Sequence, residues 1–418
     1  MTIYSAYKPI DYDYVKQLPS DWQLLPNIAI FQERIERGHI KEELLSVTIG
    51  KGVIKQSDVD IKKDSSNEDK SKYKLIKVGD IAYNKMRMWQ GALGYSDFQG
   101  ISSPAYVILK PKIAINPRFF HYMFRASFYT NYSKRFSYGI VDDQLSLRYT
   151  DFKRMYSIVP PLEVQNSIVE YLDKKNSEID KFIRNKERLI GLLEEERKLF
   201  ITQSIFNANH HVKPLKYLVN KVGSGVTPLG GANVYVSEGI IFLRSQNVYF
   251  SGLRLEEVAF IPEKVHSKMK STKVRKNDVL LNITGASIGR CCSVDTEIEA
   301  NVNQHVCIIR PKKELNSNYL AYYIASNTIQ NLIRNNQDGA SREGLSFSEI
   351  KNFPIPIIDM VLQREIVKVI SKKEEDINLA ITKCRQEIAS IKEYREALIT
   401  DLVTGKWRVS QVEKILQP

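Results

Sequence analysis

The sequence repeats itself at a fixed distance. Residues 165–202 and 363–400 match without a gap at an offset of 198: Ile168-Val169 against Ile366-Val367, Lys174-Lys175 against Lys372-Lys373, and Arg197, Ile201 and Thr202 against Arg395, Ile399 and Thr400. Upstream, Asp80 in VGDIAYN pairs with Asp278 in KNDVLLN. Leu147, ahead of Asp151-Phe152-Lys153, pairs with Leu345, ahead of Glu349-Ile350-Lys351. Lys110-Pro111 against Arg310-Pro311 needs an offset of 200, so small insertions occur inside the repeat. The repeated unit is about half of the 418 residues, long enough to bury a core of its own.

Each copy has two parts. Residues 1–160 and 209–355 are rich in aromatics, Gly, Asn and short apolar runs such as AYVILKP and HVCIIRP, which read as mixed β-structure with a few helices. Residues 161–208 and 356–418 read as helical. Leu172, Ile179, Leu193 and Phe200 fall seven or fourteen apart, with Ile183 and Ile190 interleaved. The second copy has Ile370, Ile377, Ile391 and Leu398, with Ile381 and Ile388 between. This is the a/d seam of a coiled coil, broken once in each copy, at Lys186 and at Cys384. Pro160-Pro161 and Pro354, Pro356 stand where each globular part hands over to its helix. A seam this short needs a packed partner. The heptads alone suit two ordinary amphipathic surface helices equally well. The gapless offset favours two matched spacers, paired antiparallel with a globular part at either end. The expected fold class is therefore α+β: an internally duplicated chain with two mixed α/β domains separated by an antiparallel pair of long coiled-coil helices.

Lys and Arg exceed Asp and Glu by 61 to 48, a net charge of +13, which favours a polyanionic partner. Hydrophobic residues make up 43% of the chain, enough to exclude a disordered tail protein. Four cysteines, two of them adjacent (Cys291, Cys292) and two isolated (Cys307, Cys384), support neither a disulfide framework nor structural zinc. No apolar run approaches the length of a membrane span and MTIYSAYKPI is no signal peptide, so no membrane is expected and the expected address is cytoplasmic.

Enzymatic signatures are missing. Gly405-Lys406 lacks the earlier glycine of a phosphate loop. Asn116-Pro117-Arg118-Phe119 resembles the motif with which amino-methylating enzymes grip a flipped base, but its third position is wrong and the repeat supplies Asn316-Ser317-Asn318-Tyr319 in its place. Asn116 and Asn316 are better read as helix N-caps, with Pro117 at the first helical position. The six histidines, including His210, His266 and His305, show no ligand spacing, so no metal is expected. Asp58, Asp60, Lys62 and Lys63 open a polar run that reads as a solvated loop rather than a nuclease site.

Residues suited to reading bases are clustered. NKMRMWQGALG holds Lys85, Arg87, Trp89 and Gln90; LRSQNVYFSG holds Arg244, Ser245, Gln246 and Asn247; NITGASIGR adds Thr284, Ser287 and Arg290 among glycines. Arg and Lys can donate to guanine O6 and N7, Gln and Asn can pair bidentately with adenine, and cations also hold phosphate. Asn303, Gln304 and Arg342 are secondary candidates. Each residue taken singly fits an ordinary loop; the clusters together, beside the charge, favour double-stranded DNA.

The segments PPLEVQNSIVEYLD and IDMVLQREIVKVIS, a proline-rich entry followed by Gln-x-x-Ile, and the terminus ALITDLVTGKW resemble those of the specificity subunits of type I restriction-modification systems. The strings SGVTPLGG, NKMRMWQGALG and GISSPAY are similar to ones that recur in that family's target-recognition domains, whereas the first domain has no clear Gly-x-Thr-Pro. The resemblance covers essentially the whole chain. It implies target-recognition domains at 1–160 and 209–355, and helical spacers at 161–208 and 356–418. It further implies a non-catalytic subunit that reads a bipartite DNA target and directs adenine methylation and cleavage. The partners would be two copies of a methylation subunit, together with restriction subunits. S-adenosylmethionine, ATP and Mg²⁺ would sit on those partners, with no cofactor on this chain. Two other classes remain: a self-sufficient DNA methyltransferase or nuclease, which would act alone on DNA, and a helical adaptor that binds only proteins.

Overall fold

The computed structural model describes residues 4–59, 69–141, 144–206, 211–335 and 344–416; Asp60, Lys62, Lys63, His210 and Arg342 lie outside them. It comprises two compact units, Met1–Asn185 with Gln386–Pro418, and Lys186–Arg385.

In the first unit the main sheet has strands β1 (Phe31–Glu33), β2 (Ile81–Asn84), β3 (Leu93–Tyr95) and β4 (Tyr106–Pro111), ordered β1-β4-β2-β3 and antiparallel throughout. The unbroken apolar run in β4 fits a strand covered on both sides. Val107 and Leu109 share one core cluster with Ile81 and Tyr83. Ile108 and Ala82 join Val47, Val53 and Ile76 in another, as the two-residue alternation of strand side chains requires. Helices α1 (Pro117–Arg125) and α2 (Ser127–Phe136) follow. Phe119, Phe120, Met123 and Phe124 form a fully buried stripe on α1, in the same cluster as Val107. Asn116 caps α1 by accepting from the Arg118 N–H at 3.0 Å, with Pro117 opening the helix. After Pro160-Pro161 the chain enters α3 (Leu162–Phe206), 45 residues long.

The second unit repeats the plan with β5 (Val219–Ser224), β6 (Val279–Asn282), β7 (Cys291–Ser293) and β8 (Val306–Pro311), ordered β5-β8-β6-β7. Helices α4 (Ser317–Ala325) and α5 (Asn327–Asn335) follow, then α6 (Met360–Val403), 44 residues long. Tyr319, Leu320, Tyr323 and Ile324 form the buried stripe of α4, and Asn316 caps it through the Tyr319 N–H. The copies differ on the far face of the sheet. The second unit carries a three-stranded sheet there, with Ile240–Leu243 between Ala259–Ile261 and Ala300–Val302. The first unit has a hairpin, Leu45–Thr48 with Gly52–Lys55, and a separate strand pair.

Within each unit the two half-helices run antiparallel. In the first, Leu398, Leu402 and Val403 share a core with Ile168, Val169 and Leu172, and Arg395 donates to Asp180. In the second, Ile370 shares a core with Ile201 and Ile205, Arg197 donates to Asn378, and Lys373 pairs with Glu196 at 2.7 Å. Arg197 and Arg395 are repeat mates, as are Asp180 and Asn378, so one contact is made twice. Of the seam residues, Leu172, Ile179, Ile183, Ile370, Ile377, Ile381 and Leu398 are buried, while Ile190, Leu193, Phe200, Ile388 and Ile391 are half-buried. Cys384, which interrupts the seam in the sequence, is buried; a free thiol packs there as a small apolar group.

The repeat-matched aspartates are buried hubs. Asp80 accepts from Arg34 at 2.7 and 3.0 Å and from the Lys77 N–H at 2.8 Å. Asp278 accepts twice from Arg310 at 2.7 Å and from the Arg275 N–H at 2.8 Å. Bidentate pairing of this kind offsets the desolvation of a buried carboxylate. The aspartate and its backbone donor are repeated, but the arginine follows β1 in one copy and lies on β8 in the other. Among the described residues, no helix is long and apolar enough to cross a membrane.

Candidate nucleic-acid interface

Strand pairing decides which candidates meet. Asn84 at the end of β2 lies opposite Tyr106 at the start of β4, and Asn282 at the end of β6 lies opposite Val306 at the start of β8. The loop leaving the first strand of each pair and the turn entering the second therefore emerge at one end of the sheet. These are residues 85–92 with 103–105, and residues 283–290 with 303–305. Both copies fix the loop with the same backbone bonds. Lys85 N–H donates to Ala105 O at 3.2 Å and Leu147 N–H to Lys85 O at 2.9 Å; Ile283 N–H donates to His305 O at 3.0 Å and Leu345 N–H to Ile283 O at 2.8 Å.

In the second unit, Ser245, Gln246, Thr284 and Arg290 line one shallow hollow of about 500 Å³ with Tyr249, Ser287 and His305. Asn282 stitches its walls together, its buried amide donating to Ser245 O at 2.8 Å and to Ser287 Oγ at 3.2 Å. Tyr249 lies between two guanidinium groups, Arg254 at 3.7 Å and Arg290 at 5.0 Å from its ring centroid, a cation–π arrangement that holds both charges at the rim. Thr284 Oγ1 meets His305 Nδ1 at 2.5 Å, and His305 Nε2 meets Gln304 Nε2 at 2.9 Å. Gln304 Oε1 accepts from the Thr227 hydroxyl at 2.5 Å, bringing in the Thr-Pro of SGVTPLGG. In the same string only glycine fits at 225, because a Cβ there would lie 1.8 Å from Val302 O.

Other candidates have internal duties. Asn247 is buried; its Oδ1 accepts from the Arg244 N–H and its amide donates to Arg254 O and Glu257 O, so it shapes the loop beneath Gln246. Asn303 is buried and accepts from the His305 N–H. Arg244 is half-buried, and its Nε has no hydrogen-bond partner.

In the first unit, Arg87 and Gln90 are exposed on the equivalent loop. Trp89 is half-buried: its Nε1–H donates to Met86 O at 3.2 Å, and the Lys134 ammonium lies 4.7 Å from its ring. Lys85 is half-buried, and burial, with help from Lys74, draws its pKa below the ordinary lysine value. Gly91 and its repeat mate Gly289 both have φ of +85°, open to glycine without strain. Each is held from a helix. Arg125 donates to Gly91 O at 3.4 Å and more closely to Leu93 O, Ile49 O and Gly50 O; Gln330 donates to Gly289 O at 2.9 Å. In the first unit the next helix, α2, meets α6 through Ser127 N–H to Glu396 at 2.8 Å; in the second α5 itself meets α3 through Asn327 N–H to Thr202 Oγ1 at 3.0 Å.

His305, Tyr249 and Arg254 were not singled out by their residue types. The repeat carries the signal for His305, since ANVNQHV occupies the place of GISSPAY.

The chain is thus internally duplicated: two copies of one mixed domain, each gathering polar loops at one end of its main sheet and each joined to a stretch of both long helices. Residues 230–392 match the family model described as the type I restriction modification DNA specificity domain. The chain is 25% identical over 291 residues to the type I restriction enzyme EcoBI specificity subunit of Escherichia coli, covering 62% of this chain and 60% of that one. It thus spans less than two thirds of that relative's length. It is 23% identical over 370 residues to the MjaVIII specificity subunit of Methanocaldococcus jannaschii, covering 82% and 84%. Its fold matches a chain from a structure described as concerning complex assembly and conformational transition of the type I R-M system, with TM-score 0.73, 14% identity and coverage of 93% and 99%. It also matches the HsdS subunit from Thermoanaerobacter tengcongensis, with TM-score 0.51, 16% identity and coverage of 95% and 99%. Residues 230–392 thus match the specificity domain of type I restriction-modification systems, and the chain as a whole resembles specificity subunits of those systems in sequence and in fold.

Proposed function

We propose that this chain reads a bipartite DNA sequence for a type I restriction-modification complex, one half with each unit, and leaves methylation and cleavage to partner subunits that carry S-adenosylmethionine, ATP and Mg²⁺. The observation that carries this reading is the twofold occurrence of one loop pair, at the same end of the same sheet and pinned by the same backbone bonds. A chain that needed one binding site would have no reason to keep both. Arg87 and Gln90 in the first unit, and Gln246, Thr284, Arg290 and Gln304 in the second, are the side chains offered to base edges and phosphates. Lys85, Trp89, Asn247 and Asn303 hold those loops in shape. The long helices α3 and α6 serve as the spacer that fixes the number of unread base pairs, and as part of the seat for the methylation subunits.

The decisive experiment exchanges residues 209–355 for the equivalent domain of another specificity subunit, expresses the complex in a host without other such systems, and maps methylated adenines across the genome. One half of the target should change while the other half and the gap are kept. Methylation with both halves unchanged would refute the assignment of one reader to each unit, and methylation or cleavage by the purified chain alone would refute its non-catalytic role.

A further inference from the structure

Away from the recognition loops, the second unit gathers a different set of side chains. Glu263 and His266 lie on a short helix, Glu263–Lys268, which follows the strand Ala259–Ile261. Glu299 directly precedes the strand Ala300–Val302. One ligand atom from each of the three lies within 4.8 Å of the others. The carboxylates are exposed, whereas His266 is 2% exposed.

The imidazole is held with a defined polarity. Asn301 donates through its amide nitrogen to Met269 O at 3.0 Å and Thr272 Oγ1 at 2.7 Å, so its Oδ1 is the acceptor facing His266 Nδ1 at 2.5 Å. His266 Nδ1 must therefore carry a proton, which leaves Nε2 as the ring nitrogen that faces the carboxylates. Glu299 Oε1 lies 3.4 Å from Nε2. That is the edge of a tetrahedron with metal–ligand bonds of about 2.0–2.1 Å, the separation expected of two ligands on one ion. The second-neighbour bond from Nδ1 to a side-chain oxygen is also the usual means of orienting a metal-binding histidine. Glu297 and Lys273 line the same hollow, of about 340 Å³.

We propose that Glu263, His266 and Glu299 form a site for a divalent transition-metal ion of the zinc class, ligated by one imidazole nitrogen and two carboxylate oxygens, with water completing the shell. One nitrogen with oxygens favours such an ion over Mg²⁺ or Ca²⁺, which take oxygen alone. The site is structural. It ties the two outer strands of the three-stranded sheet across the central Ile240–Leu243, and Ala300–Val302 runs straight into the turn that carries Gln304 and His305.

The test uses the full purified chain without DNA, so its outcome is independent of the reading of DNA. The protein is stripped with a chelator, titrated with Zn²⁺ or Co²⁺, and dialysed. The wild type should retain one ion per chain, Co²⁺ should give the visible absorption of a low-symmetry nitrogen–oxygen site, and Zn²⁺ should raise the unfolding temperature. The double variant Glu263→Gln, Glu299→Gln changes two exposed residues and should fold yet show none of these. Retention of no metal by the wild type, or equal retention by the variant, overturns the proposal and leaves an imidazolium–carboxylate pair in its place.

Discussion

At the scale of single residues, the most informative side chain outside the recognition loops is His121. It accepts from the Tyr95 N–H at 3.1 Å through Nδ1, and burial, followed by the nearby Arg125 and Arg118, pushes its pKa down to about 3. The unfolded chain takes up this proton near pH 6.5, so between the two values the unfolded state binds more protons than the folded one. Stability from this group is complete above about pH 6.5 and declines as the pH falls toward 3. Replacing His121 with Gln should remove one proton's worth of slope from the unfolding free energy of the first unit over that range, measured by urea denaturation at a series of pH values. An unchanged slope would mean that the imidazole is already charged in the folded protein. The paired hubs Asp80 and Asp278 make a related point. A buried carboxylate must be answered by a cation, but which strand supplies it is free to differ.

At the scale of elements, the path from long helix to recognition loop is short in both copies, and its last step is a side chain gripping a glycine carbonyl. In the second unit that step is Gln330 to Gly289. Gln330→Ala removes the grip without touching any residue offered to DNA. It is expected to broaden the half-target read by the second unit and to leave the other half sharp, seen as methylation spreading to related sequences on one side of the gap. Equal broadening of both halves would assign Gln330 a general structural role. Much of this architecture was legible in the sequence, because repetition and periodicity are local signals. The offset of 198 pairs Arg197 with Arg395, and the two capping asparagines follow from the repeat. The polar clusters were only partly legible. Composition gives Asn247 and Gln246 equal standing, yet the fold spends the amide of one on Arg254 O and Glu257 O and leaves the other exposed. His305 enters the hollow through strand pairing across residues distant in sequence, and only its place in the repeat marks it.

At the scale of the whole molecule, the matched lengths of α3 and α6, 45 and 44 residues, suit a spacer that must keep two partners in register. Inserting one heptad into each, at repeat-matched positions, preserves the seam and lengthens each helix by about 10.5 Å. The unread gap in the methylated target should then grow by about three base pairs, read from the same genome-wide methylation map. An active complex with an unchanged gap would remove the helices as the ruler. The path of the chain has a further consequence, for synthesis. The first unit draws residues from both ends: Tyr7 donates to Gly405 O across 398 positions, and Trp22 shares a core with Leu402 and Val403, whereas the second unit is one continuous stretch, Lys186–Arg385. On a ribosome the domain begun second is therefore completed first. The domain begun first waits, its apolar face uncovered, until the last helix emerges, the kind of interval in which exposed surface aggregates. A stop codon just after residue 385 would thus injure the first unit rather than the second.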